Sequence, residues 1–268
     1  MKDKSNLAAL FLVVALVAGF LFFASDALAV QPNGVSSISE QRSETAPADT
    51  ASNDSAIAGN ITEMVITAYS TTQSWQGYVG NISGAIRLAD TSGDVLYNWS
   101  LANPSGEIYA STNSTITWTG IVCFNYTAAG NYSTGGEAAG GGTSLYGTNL
   151  SQLETQFGLS ASDIDGVDAT FTDANSHVEF FTAGKQFSAG ECVSTDVFDS
   201  NGIGTDGNYE EVILYEPATA SVVFASLIES GSVDGFDSKD YDFEMLVLEN
   251  GHGTDTDTTT YYFFVELE

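Results

Sequence analysis

Residues 211–228 read EVILYEPATASVVFASLI and contain two runs of β-branched and aromatic residues, 211–215 and 221–228, on either side of a Pro-containing segment. Such side chains fit the pleated, half-buried surface of a sheet, so both runs are predicted to be strands. Runs of the same kind recur on both sides of this stretch, separated by Gly, Asn, Asp and Ser at intervals typical of turns. The sequence thus predicts about ten strands, at 63–69, 85–89, 95–101, 107–110, 115–124, 177–181, 211–215, 221–228, 243–248 and 261–267.

Two turns and one helix complete this pattern. Residues 90–94 and 103–106 contain the Asp, Asn, Gly and Pro typical of hairpin loops. Ser151 and Glu154 have the spacing of a capping box, and apolar residues around them recur at helical intervals up to Gly158. Many strands, one short helix and no βαβ alternation predict an all-β fold, an antiparallel β-sandwich. We expect one compact domain over residues 60–268, with two smaller sandwiches as the alternative.

Residues 1–29 have the features of an export segment. Two lysines precede an uncharged apolar run at 7–24, and residues 27–29 are Ala-Leu-Ala, which fits a signal-peptidase site. The run is longer than most signal cores and approaches the length of a membrane span, so a signal peptide and a transmembrane anchor both remain open. A pilin-type N-terminal helix is a third interpretation. The first two place the rest of the chain on the extracellular face of the membrane or in secreted form.

Residues 30–59 are predicted to be a flexible, disordered stalk. This segment contains no aromatic residue, few large aliphatic ones and two of the four prolines of the chain. It therefore has too little apolar surface to offset the entropy cost of ordering. A stalk of this kind would hold the following domain away from the membrane.

The chain has two cysteines, Cys123 and Cys192, with 68 residues between them. An isolated pair in an oxidising compartment is predicted to form a disulfide, and two buried free thiols are the alternative. Neither cysteine has the C-x-x-C spacing of a redox or zinc site.

Eight Asn-x-Ser/Thr sequons fall within about 100 residues, and none follows them. Composition alone can generate such motifs, but their clustering favours an N-glycosylated surface. The predicted glycosylation sites are Asn53, Asn60, Asn81, Asn98, Asn113, Asn125, Asn131 and Asn149.

The chain contains 35 acidic and only 6 basic residues, for a formal charge of -29. This balance excludes an electrostatic nucleic-acid binder, which needs clustered cations. It fits a salt-rich, halophilic environment, where charge repulsion is screened, or a surface neutralised by divalent cations.

The segment 199–210, DSNGIGTDGNYE, partly matches a calcium-binding loop. Asp199, Asn201 and Glu210 supply oxygen atoms at loop positions 1, 3 and 12, and Gly204 stands at position 6. Ile203 replaces the expected Asp or Asn at position 5, and no helices flank the loop. A Ca²⁺ site is therefore one interpretation, and a solvated hairpin turn is the other.

Catalytic motifs are absent from the sequence. His177 and His252 have no partner at metal-ligand spacing, and no G-x-S-x-G segment occurs. The three tryptophans and nearby tyrosines fit a sugar-binding platform or, as alternating strand residues, a packed core. We therefore expect the protein not to be an enzyme.

Four segments resemble a group of uncharacterised archaeal cell-surface proteins: SWQGYVGN at 74–81, LYNW at 96–99, SGEIYA at 105–110 and TYYFFVEL at 260–267. The resemblance covers about residues 60–268 and implies an N-terminal membrane segment followed by an acidic, β-rich ectodomain. It implies a location and an architecture but no chemistry.

Together these features predict a non-enzymatic, glycosylated cell-surface protein that acts in envelope structure or in cell contact. Its expected partners are other surface or envelope proteins, or copies of itself, and the membrane through residues 1–29. A subunit of an extracellular pilus-like filament is the first alternative, and a secreted carbohydrate-binding module is the second.

Overall fold

The computed structural model describes residues 31–101, 103–124, 150–160, 162–172, 177–229, 231–250 and 258–267. Within these ranges the chain forms short antiparallel strands and few helices, which confirms the prediction of an antiparallel all-β fold. The helical elements are α1 (Leu150–Gln156), α2 (Val167–Thr170) and a 3-10 turn (Trp118–Gly120). The strands are β1 (Asn33–Gly34), β2 (Trp75–Gly80), β3 (Ala85–Ala89), β4 (Val95–Ser100), β5 (Gly106–Ser111), β6 (Val122–Cys123), β7 (Phe180–Thr182), β8 (Lys185–Phe187), β9 (Ser194–Asp196), β10 (Glu210–Glu216), β11 (Ser221–Leu227), β12 (Phe243–Leu248) and β13 (Tyr262–Leu267).

The largest sheet is built around the hairpin of β10 and β11. Its strand order is β1-β13-β5-β11-β10-β6, and β9 also pairs with β10. The β10–β11 register runs from Glu211 opposite Ser226 to Glu216 opposite Ser221. At the connecting turn the buried Glu216 carboxylate accepts hydrogen bonds from the backbone N–H groups of Ala218 (2.7 Å) and Thr219 (3.0 Å). This contact satisfies turn donors that the strands leave unpaired.

One face of this sheet packs against a second sheet and the helices. Alternate residues of the central strands, among them Ile213 and Phe224, point to this face. They contact β12, which pairs with β2, and apolar residues of and next to α1 and α2. The Trp75 ring lies edge-on to Phe224, with 6.4 Å between the ring centroids.

The opposite face is covered by the β7–β8 hairpin and the 3-10 turn. Phe180 and Phe187 stack in this cover, with 4.8 Å between their ring centroids. Trp118 packs against Tyr109 of the sheet at 4.9 Å and is buried. The central strands are therefore covered on both sides, which explains their nearly continuous apolar sequences.

Most strand predictions are confirmed, but that for 63–69 is wrong. Those residues form no strand in the structure and are exposed throughout. Of the run 115–124 only Val122–Cys123 is a strand. The sequence also missed β1, β2, β8, β9 and the second helix α2. Three of these strands have two or three residues, too few to generate a periodic pattern.

The two predicted hairpin loops differ in outcome. Residues 90–94 connect β3 to β4 as predicted, with Gly93 at φ 88° and the Asp90 carboxylate accepting the N–H of Ser92 at 2.9 Å. The prediction for 103–106 is wrong, because β4 pairs only with β3 whereas β5 belongs to the central sheet. Gly106, at φ 115°, brings the chain against the backbone of Glu266; an added Cβ would lie 2.1 Å from that carbonyl oxygen.

Part of the predicted stalk contacts the domain. Asn33 and Gly34 pair with Val265 and Phe264 of β13, and the guanidinium of Arg42 donates to Asp237. The other residues described between 31 and 59 contain no regular strand or helix. Among all residues the structure describes, none belongs to a helix long and apolar enough to cross a membrane. The apolar run at 7–24 lies outside the described residues.

Candidate functional site

The most exposed ordered feature is the two-stranded hairpin of β3 and β4. Ile86 lies opposite Trp99 and Leu88 opposite Tyr97, so these four residues share one face. We call this the apolar hairpin face. Its residues are 45% to 59% exposed, and no other strand of the described chain pairs with either outer edge of the hairpin. An isolated hairpin is marginally stable in water, so an uncovered apolar face of this kind indicates a contact surface.

The reverse side of the hairpin is mixed: the pair of Arg87 and Asn98 is polar, whereas Ala89 and its partner Val95, which is 46% exposed, are apolar. Arg87 lies opposite Asn98 there, and Asn98 carries one of the predicted glycans. A glycan on Asn98 would therefore extend away from the apolar hairpin face. Tyr97 and Trp99 lie against one another on that face, with 4.9 Å between ring centroids.

The three tryptophans separate into two environments. Trp118 is buried and Trp75 packs partly buried on the core, as expected for alternating strand residues. Trp99 is 51% exposed, so it is not part of a packed core. The strand positions of the hairpin were predicted correctly, but its exposure was missed. The apolar residues of both strands were visible in the sequence, but composition does not reveal whether they are covered.

Five predicted glycosylation sites lie in the described chain. Asn53, Asn60, Asn81 and Asn98 are exposed. Asn113 is half-buried, and its side-chain amide donates to the Ser221 hydroxyl at 2.9 Å, a contact that a glycan would replace. Asn125, Asn131 and Asn149 lie outside the described residues.

Cys123 and Cys192 form a disulfide-capable pair, with 5.0 Å between their Cα atoms. Cys123 is in β6, and Cys192 lies two residues before β9; both strands pair with the same edge of β10. The N–H of Cys192 donates to Nε2 of the buried His177 at 2.9 Å. His177 Nδ1 lies 2.7 Å from the Val178 carbonyl, which fits a neutral imidazole with its proton on Nδ1. Burial lowers the pKa of His177, so this histidine acts as a packing group.

Two of the three predicted calcium ligands lie together, because the side-chain amide of Asn201 donates to the Asp199 carboxylate at 3.4 Å. The Asp199 carboxylate accepts hydrogen bonds inside its own loop, from the N–H of Asn201 (2.8 Å) and the hydroxyl of Thr205 (2.9 Å). These bonds lower the pKa of Asp199. Position 204 requires glycine because the backbone of Asp196 approaches it closely. An added Cβ would lie 2.6 Å from the Asp196 carbonyl oxygen.

Glu210, the third predicted ligand, has other hydrogen-bond partners. Its carboxylate accepts the N–H groups of Val178 (2.8 Å) and Gly207 (3.0 Å), and burial raises its pKa. Among the described residues, no group of three or more His, Cys, Asp or Glu is placed to hold a metal ion. Calcium binding by this loop stays a prediction.

Acidic side chains also lie inside the fold. Glu107 of β5 and Glu266 of β13 are cross-strand partners, 4% and 3% exposed. The N–H of Ala183 donates to Glu266 at 2.8 Å, and the Tyr109 hydroxyl lies 3.3 Å from Glu107 and 3.4 Å from Glu266. Both carboxylates therefore lie inside the fold, on either side of Tyr109 in sequence but next to its hydroxyl in space. Their burial closes them to a substrate.

Two further buried carboxyls lie between the central sheet and β12. Burial raises the pKa of Glu244 to about 7, and its Oε1 accepts the N–H of Phe236 at 2.9 Å. Burial also raises the pKa of Glu211 well above its usual range, although the N–H of Leu246 donates to it at 2.8 Å. Neither carboxyl has a nucleophile or a second catalytic group among the contacts given above.

One cleft, of about 220 Å³, opens between α1 and the β10–β11 turn. Its walls include Asn113, Gln156 and Tyr261, and the described residues that line it contain no His, Cys, Asp, Glu, Lys or Arg. The Tyr261 hydroxyl donates to the Leu248 carbonyl at 2.7 Å, and burial raises its pKa. This cleft therefore offers no acid–base pair for catalysis.

Comparison of the chain with protein-family models, with curated proteins and with solved structures finds no match.

Proposed function

We propose that this chain is a non-enzymatic cell-surface protein whose acidic ectodomain acts through protein contacts, in envelope structure or between cells. The observation that carries the proposal is the apolar hairpin face, an aromatic and aliphatic surface presented on a protruding hairpin of a protein with charge -29. A uniformly acidic surface keeps molecules apart, so an uncovered apolar patch on it favours specific contact.

Other features support this proposal. The cysteine pair and the exposed sequons fit an oxidising, glycosylating exterior. The architecture we propose for the ectodomain is a β-sandwich over residues 60–268, with the β2–β12 sheet packed on the central sheet. The segment 1–29 would either be cleaved or anchor the protein in the membrane.

The location is tested with a C-terminal epitope tag on the full chain, stained by antibody on intact and on permeabilised cells. We expect equal staining in both. Staining that requires permeabilisation would exclude the surface location.

The contact is tested with the double variant Tyr97→Ser/Trp99→Ser expressed in place of the wild-type protein. We expect normal surface staining but weaker cell-to-cell adhesion or a more fragile envelope. Because both side chains are exposed, the control variant Asp49→Asn, equally exposed and outside the hairpin, should change neither property.

A filament subunit is the second candidate, favoured by the unpaired edges of the β3–β4 hairpin. Electron microscopy of the purified full chain distinguishes it, because ordered fibres are expected only from a subunit. A carbohydrate-binding module is favoured by the exposed Tyr97 and Trp99 rings. Saturable quenching of tryptophan fluorescence by a soluble glycan, lost in Trp99→Ala, would support it.

A further inference from the structure

The segment 61–69, ITEMVITAY, is an apolar, strand-forming stretch without a strand partner. Ile61, Val65 and Tyr69 are 86% to 101% exposed, and Met64 and Ile66 are also exposed. When this segment extends as a strand, Met64, Ile66 and Ala68 share one side, and Ile61, Glu63, Val65, Thr67 and Tyr69 share the other. The segment therefore has the composition and the length of a sheet strand.

The β3 edge of the hairpin has matching features. Ile86 and Leu88 belong to the apolar hairpin face, and Arg87 points to the reverse side. A strand added beside β3, with Met64 and Ile66 continuing the apolar hairpin face, places Glu63 on the side of Arg87. The charges are complementary, in a chain that has only 6 basic residues.

Arg87 is available for such a pair. The other basic side chains in the described ranges have partners: Arg42 and Lys239 bind Asp237, and Lys185 donates to the Ile121 carbonyl. Within the same ranges Arg87 has no ion-pair or hydrogen-bond partner. Its charge faces solvent on the reverse side of the hairpin.

The segment and the hairpin lie at opposite ends of β2. The segment leads into Trp75 at one end, and the hairpin begins after Gly80 at the other, about 17 Å away for a strand of this length. Thr72 donates to Asp165 at 2.6 Å, and the Ser74 carbonyl accepts the N–H of Glu249 at 2.9 Å. Pairing within one molecule would have to reverse the chain at these anchored residues.

We propose that residues 61–69 of one copy add as a strand to the β3 edge of a second copy, and that this is the partner of the apolar hairpin face. This inference rests on the proposed function and names the partner that function requires. Because donor and acceptor are different surfaces of the same chain, the contact is heterologous and joins copies head to tail.

The proposal is tested with Val65→Pro in the purified full-length protein. Val65 is exposed and unpaired, so proline leaves the monomer fold intact, but it removes an N–H and the flexibility that a ladder strand needs. We expect an unchanged thermal midpoint and self-association at least about tenfold weaker by sedimentation velocity. The matched control Val65→Thr keeps the N–H and should associate like the wild type. Association of Val65→Pro equal to wild type would overturn the proposal.

Cross-linking tests the assigned pairing. Val65→Cys and Arg87→Cys proteins are mixed with a short bismaleimide, in about 1 M NaCl to screen repulsion between copies. We expect a covalent dimer that contains one of each variant, and none from Arg87→Cys mixed with Asp49→Cys. Absence of the mixed dimer would also overturn the proposal.

The outcomes separate this inference from the function it rests on. If the wild-type protein is monomeric but Tyr97→Ser/Trp99→Ser still weakens adhesion or the envelope, the partner is another molecule and only the inference fails. If neither self-association nor a phenotype is found, the contact function fails as well.

Discussion

The β10–β11 pair and the β3–β4 hairpin are both antiparallel two-stranded units, but the first is covered on both faces and the second on neither. Ile213, Leu214 and Val223 are 0% exposed, whereas Ile86 and Leu88 are 45% and 51% exposed. Buried apolar area is the main source of folding free energy. Strands of similar apolar composition are therefore part of the core in one place and exposed in the other.

The largest expected effect is at Phe224 in β11. Its ring contacts Trp75, Phe171 and Tyr261, and it is 2% exposed. Phe224→Ala should lower the free energy of unfolding by about 3 to 5 kcal/mol because it leaves a cavity. Urea denaturation monitored by circular dichroism measures the loss. A loss below about 1 kcal/mol would mean that this face of the sheet is loosely packed.

A smaller effect than at Phe224 is expected at the cysteine pair. The double variant Cys123→Ser/Cys192→Ser should be about 2 to 4 kcal/mol less stable, because the bond closes a long loop in the unfolded chain. Reducing agent should lower the thermal midpoint of the wild type and leave the double variant unchanged. A wild-type midpoint indifferent to reduction would contradict a stabilising disulfide.

The buried carboxyl of Glu244 should make the stability of the fold depend on pH. The pKa of Glu244 rises from 4.5 to about 7 in the folded protein, so the native state keeps a proton that the unfolded chain releases. This contribution is complete below pH 4.5 and is lost as the pH rises to about 7. Glu244→Gln should remove about 2 to 3 kcal/mol of this dependence, as measured by denaturation at several pH values.

The variant Asp49→Asn is the control for this measurement, and His177 contributes a pH dependence of opposite sign. Asp49→Asn removes an exposed acid and should leave the slope between pH 4.5 and 7 unchanged. His177 acts with the opposite sign, because its lowered pKa makes the fold less stable as the pH falls below 6.5. An unchanged slope in Glu244→Gln would show that the carboxyl is hydrated in the native state.

The smallest expected effect on stability is at the hairpin. Trp99→Ala should change the free energy of unfolding by less than about 0.5 kcal/mol in the monomer, since the ring is half exposed. Trp118→Ala, at the buried tryptophan, should cost about 3 to 5 kcal/mol. Equal costs for the two tryptophans would mean that the hairpin packs on the domain in solution.

Much of the strand pattern was predictable because it depends on local sequence. The runs at β3, β10, β11 and β12 have enough β-branched and aromatic residues to identify them without tertiary information. Segment 63–69 has the same composition but forms no strand, because a strand needs a partner edge and this one has none in the described chain. The short β8 and β9 exist because β7 and β10 pair with them, which a local pattern does not record.

The candidate sites were likewise predictable where they depend on composition, and not where they depend on contacts between distant residues. Cys123 and Cys192 were predictable as a pair because no other cysteine competes. The spacing of Asp199, Asn201 and Glu210 suggested convergence, but hydrogen bonds to the loop and to Val178 direct the two carboxylates to different partners. The buried pair of Glu107 and Glu266 was not predictable, since 159 positions separate residues that only strand pairing brings together.

The all-β class, the acidic composition, the cysteine pair and most strands could be read from the sequence alone, because they depend on composition and on short-range periodicity. The position of each strand, central or exposed, and the burial of particular acidic side chains became known only from the three-dimensional structure. Both depend on contacts between segments that are distant in sequence, since these contacts bury apolar area and pair backbone N–H and C=O groups. The apolar hairpin face is an example, because its side chains are half exposed and no other strand of the described chain pairs with the hairpin.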